Sequence, residues 1–432
     1  MMNTSFAILV LLGSFLVMLL MGVEIMYALG LSAFFTCLYV GIPASSIFNT
    51  IIGKISNSSL MAIPFFVLMG EFMSLGGISS RLVELANSLV GWMRGGLAMV
   101  NCVASMFFGG ISGSPVADCA SLGPILIPMM EKQGYDKEFS TGITMTSSIE
   151  GMIIPPSHTM VIFAVTAGGV SIAGLYMGGI LAGILLGLCL MVYSYIMAKR
   201  HNYPCGIRFS LKIFLKAVYR SIWGIIAMLI VVGGVFAGIM TATEAAAAAA
   251  AYCFFVAFFI SREAKITDLP GIFKRTLRSV ATVLFLASSA TAFSWILTFL
   301  KIPQYVASGL LAVTANKYIL LVFINIILLI LGCFMNTSSI ILIMVPILLP
   351  IVQSFGMHPI QLGVMMVMNL GIGLLTPPVG SVLFVGSSMS GLPLEKLVKV
   401  VMPQLIAMVA ALLLVTFVPA ITLWLPTLLG YV

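Results

Sequence analysis

The sequence predicts an all-α integral membrane protein built from inverted repeats, with two re-entrant helical hairpins and two broken transmembrane helices. Three observations predict it. Of the 432 residues, 61% are hydrophobic and 7% charged, against about 25% charged in a soluble domain. Uncharged runs cover Ile25–Gly53, Gly95–Ala117, Tyr318–Leu394 and Val400–Val432, and one membrane helix needs about 20 apolar residues. Finally, the constant shift that carries Pro124 onto Pro346 lays one whole interrupted stretch on another.

The chain starts apolar. Its first basic residue is Lys54, so residues 1–23 lack the positive start of a signal peptide and are expected to stay as a first helix. Basic clusters at Lys199, Arg200, Arg208, Lys212, Lys216 and Arg220, and at Arg262, Lys265, Lys274, Arg275 and Arg278, belong in the cytoplasm. That placement makes 222–240 and 245–261 a helical pair with a periplasmic turn at Thr241–Glu244, and puts both termini in the periplasm. Only Lys54, Lys301 and Lys317 of the 20 basic residues then fall outside. Positive-inside bias explains the net charge of +8, with no need for a nucleic-acid partner. Segments 47–58, 81–93, 207–220, 266–278, 301–313 and 394–402 mix charge with apolar spacing and are expected to lie along the interface or join spans. The seven cysteines form no C-x-x-C pair, and His158, His201 and His358 have no metal-ligand spacing.

The repeat is specific. Residues 123–156 and 345–378 align without gaps at eight of 34 positions, including Pro124/Pro346, Pro128/Pro350, Gly134/Gly356, Gly151/Gly373, Pro155/Pro377 and Pro156/Pro378. Apolar composition matches Leu and Ile by chance, but hardly four prolines and two glycines at one offset. The charge-based topology inverts the second copy. Inverted repeats broken at corresponding places point to a transporter site at mid-membrane.

Four interruptions carry the chemistry. Ser112-Gly113-Ser114-Pro115 separates the arms 96–111 and 119–131, and Asn336-Thr337-Ser338-Ser339 separates 318–335 from 340–353. Arms this short suggest re-entrant hairpins. The other two are Ser147-Ser148-Ile149-Glu150-Gly151 running to Pro155-Pro156, and Asn369-Leu370-Gly371-Ile372-Gly373 running through Thr376 to Pro377-Pro378. Unwinding there exposes carbonyl oxygens, tolerated in a membrane only inside protein or a watery cavity. Hydroxyl and carbonyl oxygens suit a hard cation such as sodium, half-helix C-termini favour it, and half-helix N-termini favour an anion. One tip and one break per repeat give two cation sites around one central solute site. The plainer alternative is close helix packing through small residues.

Ionisable residues at membrane depth invite a functional reading. Asp118 and Glu150 have Ile340 and Ile372 at the matching places, so neither is essential to both cation sites. Asp118 is expected to cap the second hairpin arm. For Glu150, carrying a proton, facing a polar cavity and assisting a cation all stand open. Glu71 is expected to hydrogen-bond between helices, Glu24 and Glu244 to cap helices or sit at the interface, and His158 to touch solute or pack.

The segment GGISGSPVADCASLGPILIPMMEKQGY at 109–135, followed by IIPPS, resembles the large membrane subunit of tripartite ATP-independent periplasmic (TRAP) transporters. PFFVLMGEFM at 64–73, TATEAAAAAAAY at 241–252 and GLLTPPVG at 373–380 fit as well. The resemblance covers essentially the whole chain. It implies a sodium-driven, elevator-type carrier in the bacterial inner membrane that works with a small four-helix membrane subunit and a periplasmic solute-binding protein. Typical solutes are C4-dicarboxylates, sialic acid and other sugar acids. It implies a first cation site at Ser112 and Ser114 with Gly151, Ile153 and Pro155. It implies a second at Asn336, Thr337 and Ser338 with Gly371, Gly373, Thr376 and Pro377. Solute is expected near Ser114, Ser147, Ser338 and Thr376, with Asp118, Glu150 and His158 as further candidates. Two departures stand out: Glu150 replaces a residue usually small or apolar, and His158 follows Pro-Pro-Ser where many members are apolar. The chain leaves no room for four more helices, so the small subunit is expected to be separate.

The expected division is scaffold over 1–95, transport part over 96–170, scaffold over 171–316, second transport part over 317–392, and an arm with a last scaffold helix over 393–432. Sodium ions as coupling ions are the only cofactor expected. A stand-alone or proton-coupled carboxylate carrier is the alternative. Nothing pairs Asp118, Glu150 and His158 as catalyst and orienter, which disfavours an enzyme. No G-x-x-x-x-G-K-[ST] phosphate loop is present, which disfavours an ATP-driven pump.

Overall fold

The structure, a computed structural model, describes residues 4–55, 61–206, 209–302, 305, 316–377 and 380–432. Of residues 4–5, 44, 50–51, 53–55, 111–112 and 279 it describes the backbone alone. Among these residues the only bridge is an isolated one between Arg94 and Cys205, and everything else regular is helix. Seven helices are long and apolar enough to cross a membrane, or nine if two bent pairs each count as one span.

The first part runs α1 (Thr4–Leu20), α2 (Ile25–Val40), α3 (Ala44–Ile55), α4 (Ala62–Leu75) and α5 (Ile78–Val90). Between α4 and α5 the chain bends by 77°. Gly77 makes the bend with φ of 64°, a region that costs a side chain strain. A Cβ there would also meet the Glu263 carboxylate. Glu24 stands at the start of α2 but makes no cap bond.

The first interrupted unit follows. It comprises α6 (Gly96–Ser112), α7 (Pro115–Lys132), α8 (Lys137–Ser147), the single turn α9 (Glu150–Ile153) and α10 (His158–Ala167). The axis bends by 43° between α8–α9 and α10. Then come α11 (Ile172–Arg200), α12 (Leu211–Phe236), α13 (Ala242–Phe255, continued as a π-helical turn to Ile260) and α14 (Leu269–Phe299). The second interrupted unit is α15 (Lys317–Phe334), α16 (Thr337–Ser354), α17 (Pro359–Gly373) and α18 (Ser381–Ser390), followed by α19 (Leu394–Phe417) and α20 (Pro419–Leu428).

Helix boundaries keep the register of the sequence repeat. α7 and α16 begin at the matched pair Pro115 and Thr337 and end at the matched pair Lys132 and Ser354. The starts of α8 and α17, and of α11 and α19, fall on matched positions too. The two units interlock reciprocally. α10 packs on α16, and its counterpart α18 packs on α7; α8 packs on α19, and its counterpart α17 packs on α11. Small residues allow the crossings: Gly123 lies against Met389, Gly386 against Met145 and Gly363 against Phe163 and Leu175. Thr146 of α8 donates to Gln404 of α19 at 2.7 Å. Thus α11 and α19, beyond the expected boundaries at 171 and 393, pack directly on the broken helices.

The expected arms 207–220, 266–278 and 394–402 are not separate helices. From residue 211 in the first, and over the described residues of the other two, the chain runs on as helix into the apolar span behind it, in α12, α14 and α19. At the α19 junction Pro403 removes one ladder bond without ending the helix. The described part of segment 47–58 falls on α3 and most of 81–93 on α5, while most of 301–313 lies outside the described residues. The predicted turn at Thr241 carries a reciprocal cap. Thr241 N–H donates to Glu244 at 2.7 Å and Glu244 N–H to the Thr241 hydroxyl at 3.3 Å.

A polar latch ties the α7–α8 turn to the end of α11. Tyr203 donates to Asp136, His201 approaches the same carboxylate at 3.3 Å, and Tyr135 stacks on Tyr203 with ring centroids 4.3 Å apart. Burial pushes the Tyr135 hydroxyl up to about 12, so it stays protonated at neutral pH.

Candidate functional site

The first tip is assembled from local rules. Gly113 ends α6 with φ of 59°, which glycine adopts at no steric cost. Ser114 is extended and caps α7, its hydroxyl accepting from Ala117 N–H at 3.5 Å, with Pro115 as the first helical residue. Capping therefore falls to Ser114, not to Asp118 as expected. The Ser112 side chain lies outside the described residues.

This tip rests on the first break. A Cβ on Gly109 would stand 2.2 Å from Gly151 Cα, one on Gly110 3.3 Å from Pro155 O, and one on Gly113 2.9 Å from Pro156 O. Only glycines let the backbones approach this closely, and the carbonyls of Pro155 and Pro156 face the hairpin. Ile153 is different. Its carbonyl faces Gly179 of α11, where a Cβ would stand 2.4 Å away. Ser157 closes the break, donating to Met152 O at 2.6 Å and accepting from Met160 N–H at 3.3 Å.

The second tip follows the same plan. Asn336 caps α16, accepting from Ser338 N–H at 2.9 Å, and Thr337 and Ser338 are buried in the first turn. Gly373 meets Gly332, with a Cβ on Gly373 falling 2.7 Å from Gly332 Cα. Thr376 donates to Ile372 O at 3.0 Å and lies beside the Cys333 thiol of the hairpin, which itself donates to Leu329 O. Gly373 and Thr376 are thus brought to the second hairpin. Gly371 turns instead to Ile149 and Met152 of the first unit. Pro377 is exposed, and Pro378 lies outside the described residues.

Between α6, α7 and α8 runs a buried polar thread that the sequence did not reveal. Asn101 donates to Thr144 at 2.7 Å and Ser147 donates to Asn101 at 3.2 Å. Ser105 lies 3.1 Å from Ser147 and 3.4 Å from Asp118. Ser147 is therefore deep in this thread, away from the tips. The second unit has its own thread. Asn369, the repeat counterpart of Ser147, donates to Asn325 at 2.8 Å, and Asn325 donates to Thr416 at 3.2 Å. The available signal was an amide within an apolar run, with Asn101 and Ser105 one helical turn apart.

Asp118 and Glu150 are fully buried. One Asp118 oxygen and both Glu150 oxygens have no hydrogen-bond partner. A Cβ on Gly151 would stand 3.1 Å from Asp118 Oδ2, and one on Gly187 of α11 would stand 3.2 Å from Glu150 Oε1. Glu150 faces packed protein rather than the polar cavity offered as one of its readings.

That cavity lies elsewhere. About 490 Å³ opens between Ser114 of the first tip, His158 and Phe108 on one side and Glu71 and Arg275 on the other. His158 contacts the Gly113 backbone. Arg275 of α14 donates to Glu71 of α4 through Nε at 2.8 Å, with Nη2 at 2.7 Å, so Glu71 does bond between helices. A second cavity of about 410 Å³, lined by Glu84, Lys216 and Arg220, contains none of the residues expected at a site.

Known proteins agree with this architecture. The YdaH transporter of Alcanivorax borkumensis shares it with a TM-score of 0.63 over 86% of this chain and 87% of that one, at 14% identity. The isethionate TRAP transporter permease DctMQ of Oleidesulfovibrio alaskensis is 41% identical over 96% of this chain, which spans 66% of that protein. The C4-dicarboxylate TRAP large permease DctM of Pseudomonas aeruginosa is 40% identical over 86% of this chain and 87% of its own length. The sialic acid TRAP large permease SiaM of Vibrio cholerae is 35% identical over 88% and 89%. The family described as tripartite ATP-independent periplasmic transporter, DctM component, matches residues 12–421. Relatives of this kind are transport permeases, not enzymes, and the chain is a multi-pass membrane protein belonging to the DctM component family of tripartite ATP-independent periplasmic transporters.

Proposed function

We propose that this chain takes up a small organic acid across the bacterial inner membrane, driven by sodium. The observation that carries this is the repeated pairing of a hairpin tip with a broken helix, Gly109–Ser114 against Gly151–Pro156 and Gly332–Asn336 against Gly373–Thr376. Two such places gather hydroxyl, amide and carbonyl oxygens suited to a hard cation. Their α7 and α16 N-termini supply positive dipole ends for an anion. Site 1 uses the Ser112–Ser114 tip with Gly151 and Pro155, without Ile153, whose carbonyl faces Gly179 of α11. Site 2 uses Asn336–Ser338 with Gly373, Thr376 and Pro377, without Gly371, which faces the first unit. Solute lies between the tips by Ser114, Ser338 and Thr376.

The hairpins are re-entrant and the two interlocked units, inverted in the membrane, move as one elevator past α1–α5 and α12–α14. Both termini face the periplasm. The solute is handed over by a periplasmic binding protein, and a small four-helix subunit braces the scaffold. The relatives named for isethionate, C4-dicarboxylates and sialic acid support an acidic solute, and the fused DctMQ supports a small-subunit partner.

One observation favours a second reading. The orphaned carboxylate of Glu150 suits a proton carrier. Proteoliposomes holding the chain and its small subunit, supplied with the binding protein and labelled solute, separate the two. An inward sodium gradient drives uptake if the first reading is right. Uptake that ignores sodium and follows a pH gradient contradicts it.

A further inference from the structure

Among apolar neighbours such as Phe108 and Val67, the polar side chains lining the 490 Å³ cavity, apart from paired Glu71, can all donate hydrogen bonds: Ser74, Ser114, Ser121, His158 and Arg275. The cavity also takes in Ala117 in the first turn of the 18-residue α7, whose N-terminal N–H groups add positive potential. Its one carboxylate, Glu71, grips one edge of the guanidinium through Nε and Nη2. A guanidinium has five N–H donors in a rigid fork, so donors remain on the far edge. Arg275 is also about half exposed, so solute reaches it without crossing packed protein. The volume lies within the range of about 300–1,000 Å³ usual for small-molecule pockets.

We propose that Arg275 receives the anionic group of the transported acid in this cavity, with Ser114 and His158 taking its polar remainder. This rests on the organic-acid reading above. Glu71 orients the fork and competes for it. A solute held this way bridges two bodies, α4 and α14 on one side and the first hairpin with α10 on the other. Arg275 belongs to a basic cluster expected in the cytoplasm, so the contact serves the inward-open, releasing state. Sequence alone offered no Arg or Lys near the tips, because Arg275 looked like part of an interfacial arm. It is the unbroken run of α14 that carries it to the cavity.

The test titrates succinate, isethionate and sialic acid against the thermal unfolding of the purified chain with its small subunit in sodium. At least one acid is expected to stabilise the wild type. Arg275→Gln should weaken its apparent affinity about tenfold to hundredfold, the scale of a charge-assisted hydrogen bond, and Arg275→Lys should weaken it less. Glu71→Gln frees the fork and should bind as tightly as the wild type or more tightly. Should Arg275→Gln fail to fold, the contrast between Arg275→Lys and Glu71→Gln decides by the same opposite signs. An ion pair that only holds α4 to α14 predicts matching effects from the two sites, and that result overturns the proposal while leaving the transport function in place. A wild type that responds to none of the three acids overturns the organic-acid reading and this inference together.

Discussion

A Cβ on Gly109 would stand 2.2 Å from Gly151 Cα, and one on Gly151 would stand 3.0 Å from Gly109 Cα. Neither neighbour is a flexible side chain, so the backbones themselves must separate. Gly109→Ala is expected to destabilise the fold by about 1–3 kcal/mol, the cost of overpacking. Gly233 lies in the last turn of α12 with nothing near its missing Cβ, so Gly233→Ala should be neutral or stabilising by up to about 1 kcal/mol. Melting temperatures of the two variants in one detergent check the contrast. A second effect at this scale depends on pH. His358 caps α17 by accepting Ile360 N–H at 3.2 Å through Nδ1, which only the neutral ring does. Burial holds its imidazole below the ordinary range. A lowered folded pKa gives stability that is present above the unfolded value and lost as pH falls toward the folded one. Melting temperature should therefore drop as the pH is lowered from about 7 to about 5, by no more than a cap is worth, about 1 kcal/mol. His358→Asn should remove that part of the pH dependence. Gly151 was visible in the sequence because the repeat marks it with Gly373. Its partner Gly109 was not, because the offset pairs Gly332 with Gly110 and only the packing selects the glycine that touches.

Helices show most clearly what a sequence carries. The polar interruptions put α7 and α16 at 119–131 and 340–353; the helices begin three to four residues earlier, at Pro115 and Thr337, because Ser114 and Asn336 cap them, and both keep the register of the repeat at both ends. The expected arms failed as separate helices because charge marks a change of environment, not a change of backbone. The hydrogen-bond ladder runs through Lys212–Arg220 in α12 as readily as through the apolar turns that follow. The amide pair between α15 and α17 went unseen since Asn325 and Asn369 are 44 residues apart and no periodicity links them. Asn325 accepts from Asn369 at two oxygens, 2.8 and 3.0 Å away. Asn325→Ala should therefore cost about 1–3 kcal/mol by leaving one buried Asn369 N–H without its side-chain acceptor. Adding Asn369→Ala should cost less than the sum of the single changes, and a double-mutant cycle by chemical denaturation measures that coupling.

At the scale of the molecule, the two units lean on each other in exchange, α10 on α16 and α18 on α7. That exchange joins each hairpin to the opposite broken helix, the packing that the elevator motion proposed above requires. The sequence showed the repeat but not this exchange, since no offset says which copy a half-helix will pack against. The central claim is that tips and breaks hold sodium. It is tested most directly by the unfolding temperature of the purified chain with its small subunit, in sodium and in potassium at equal ionic strength. An ion bound only by the folded state stabilises it by mass action, about 2.7 kcal/mol at a hundredfold excess over Kd. Sodium should raise the unfolding temperature where potassium does not, and Asn336→Ala should lose at least part of that sodium-specific gain, whatever its stability in potassium. Equal unfolding in the two salts, for wild type and variant alike, would contradict the claim.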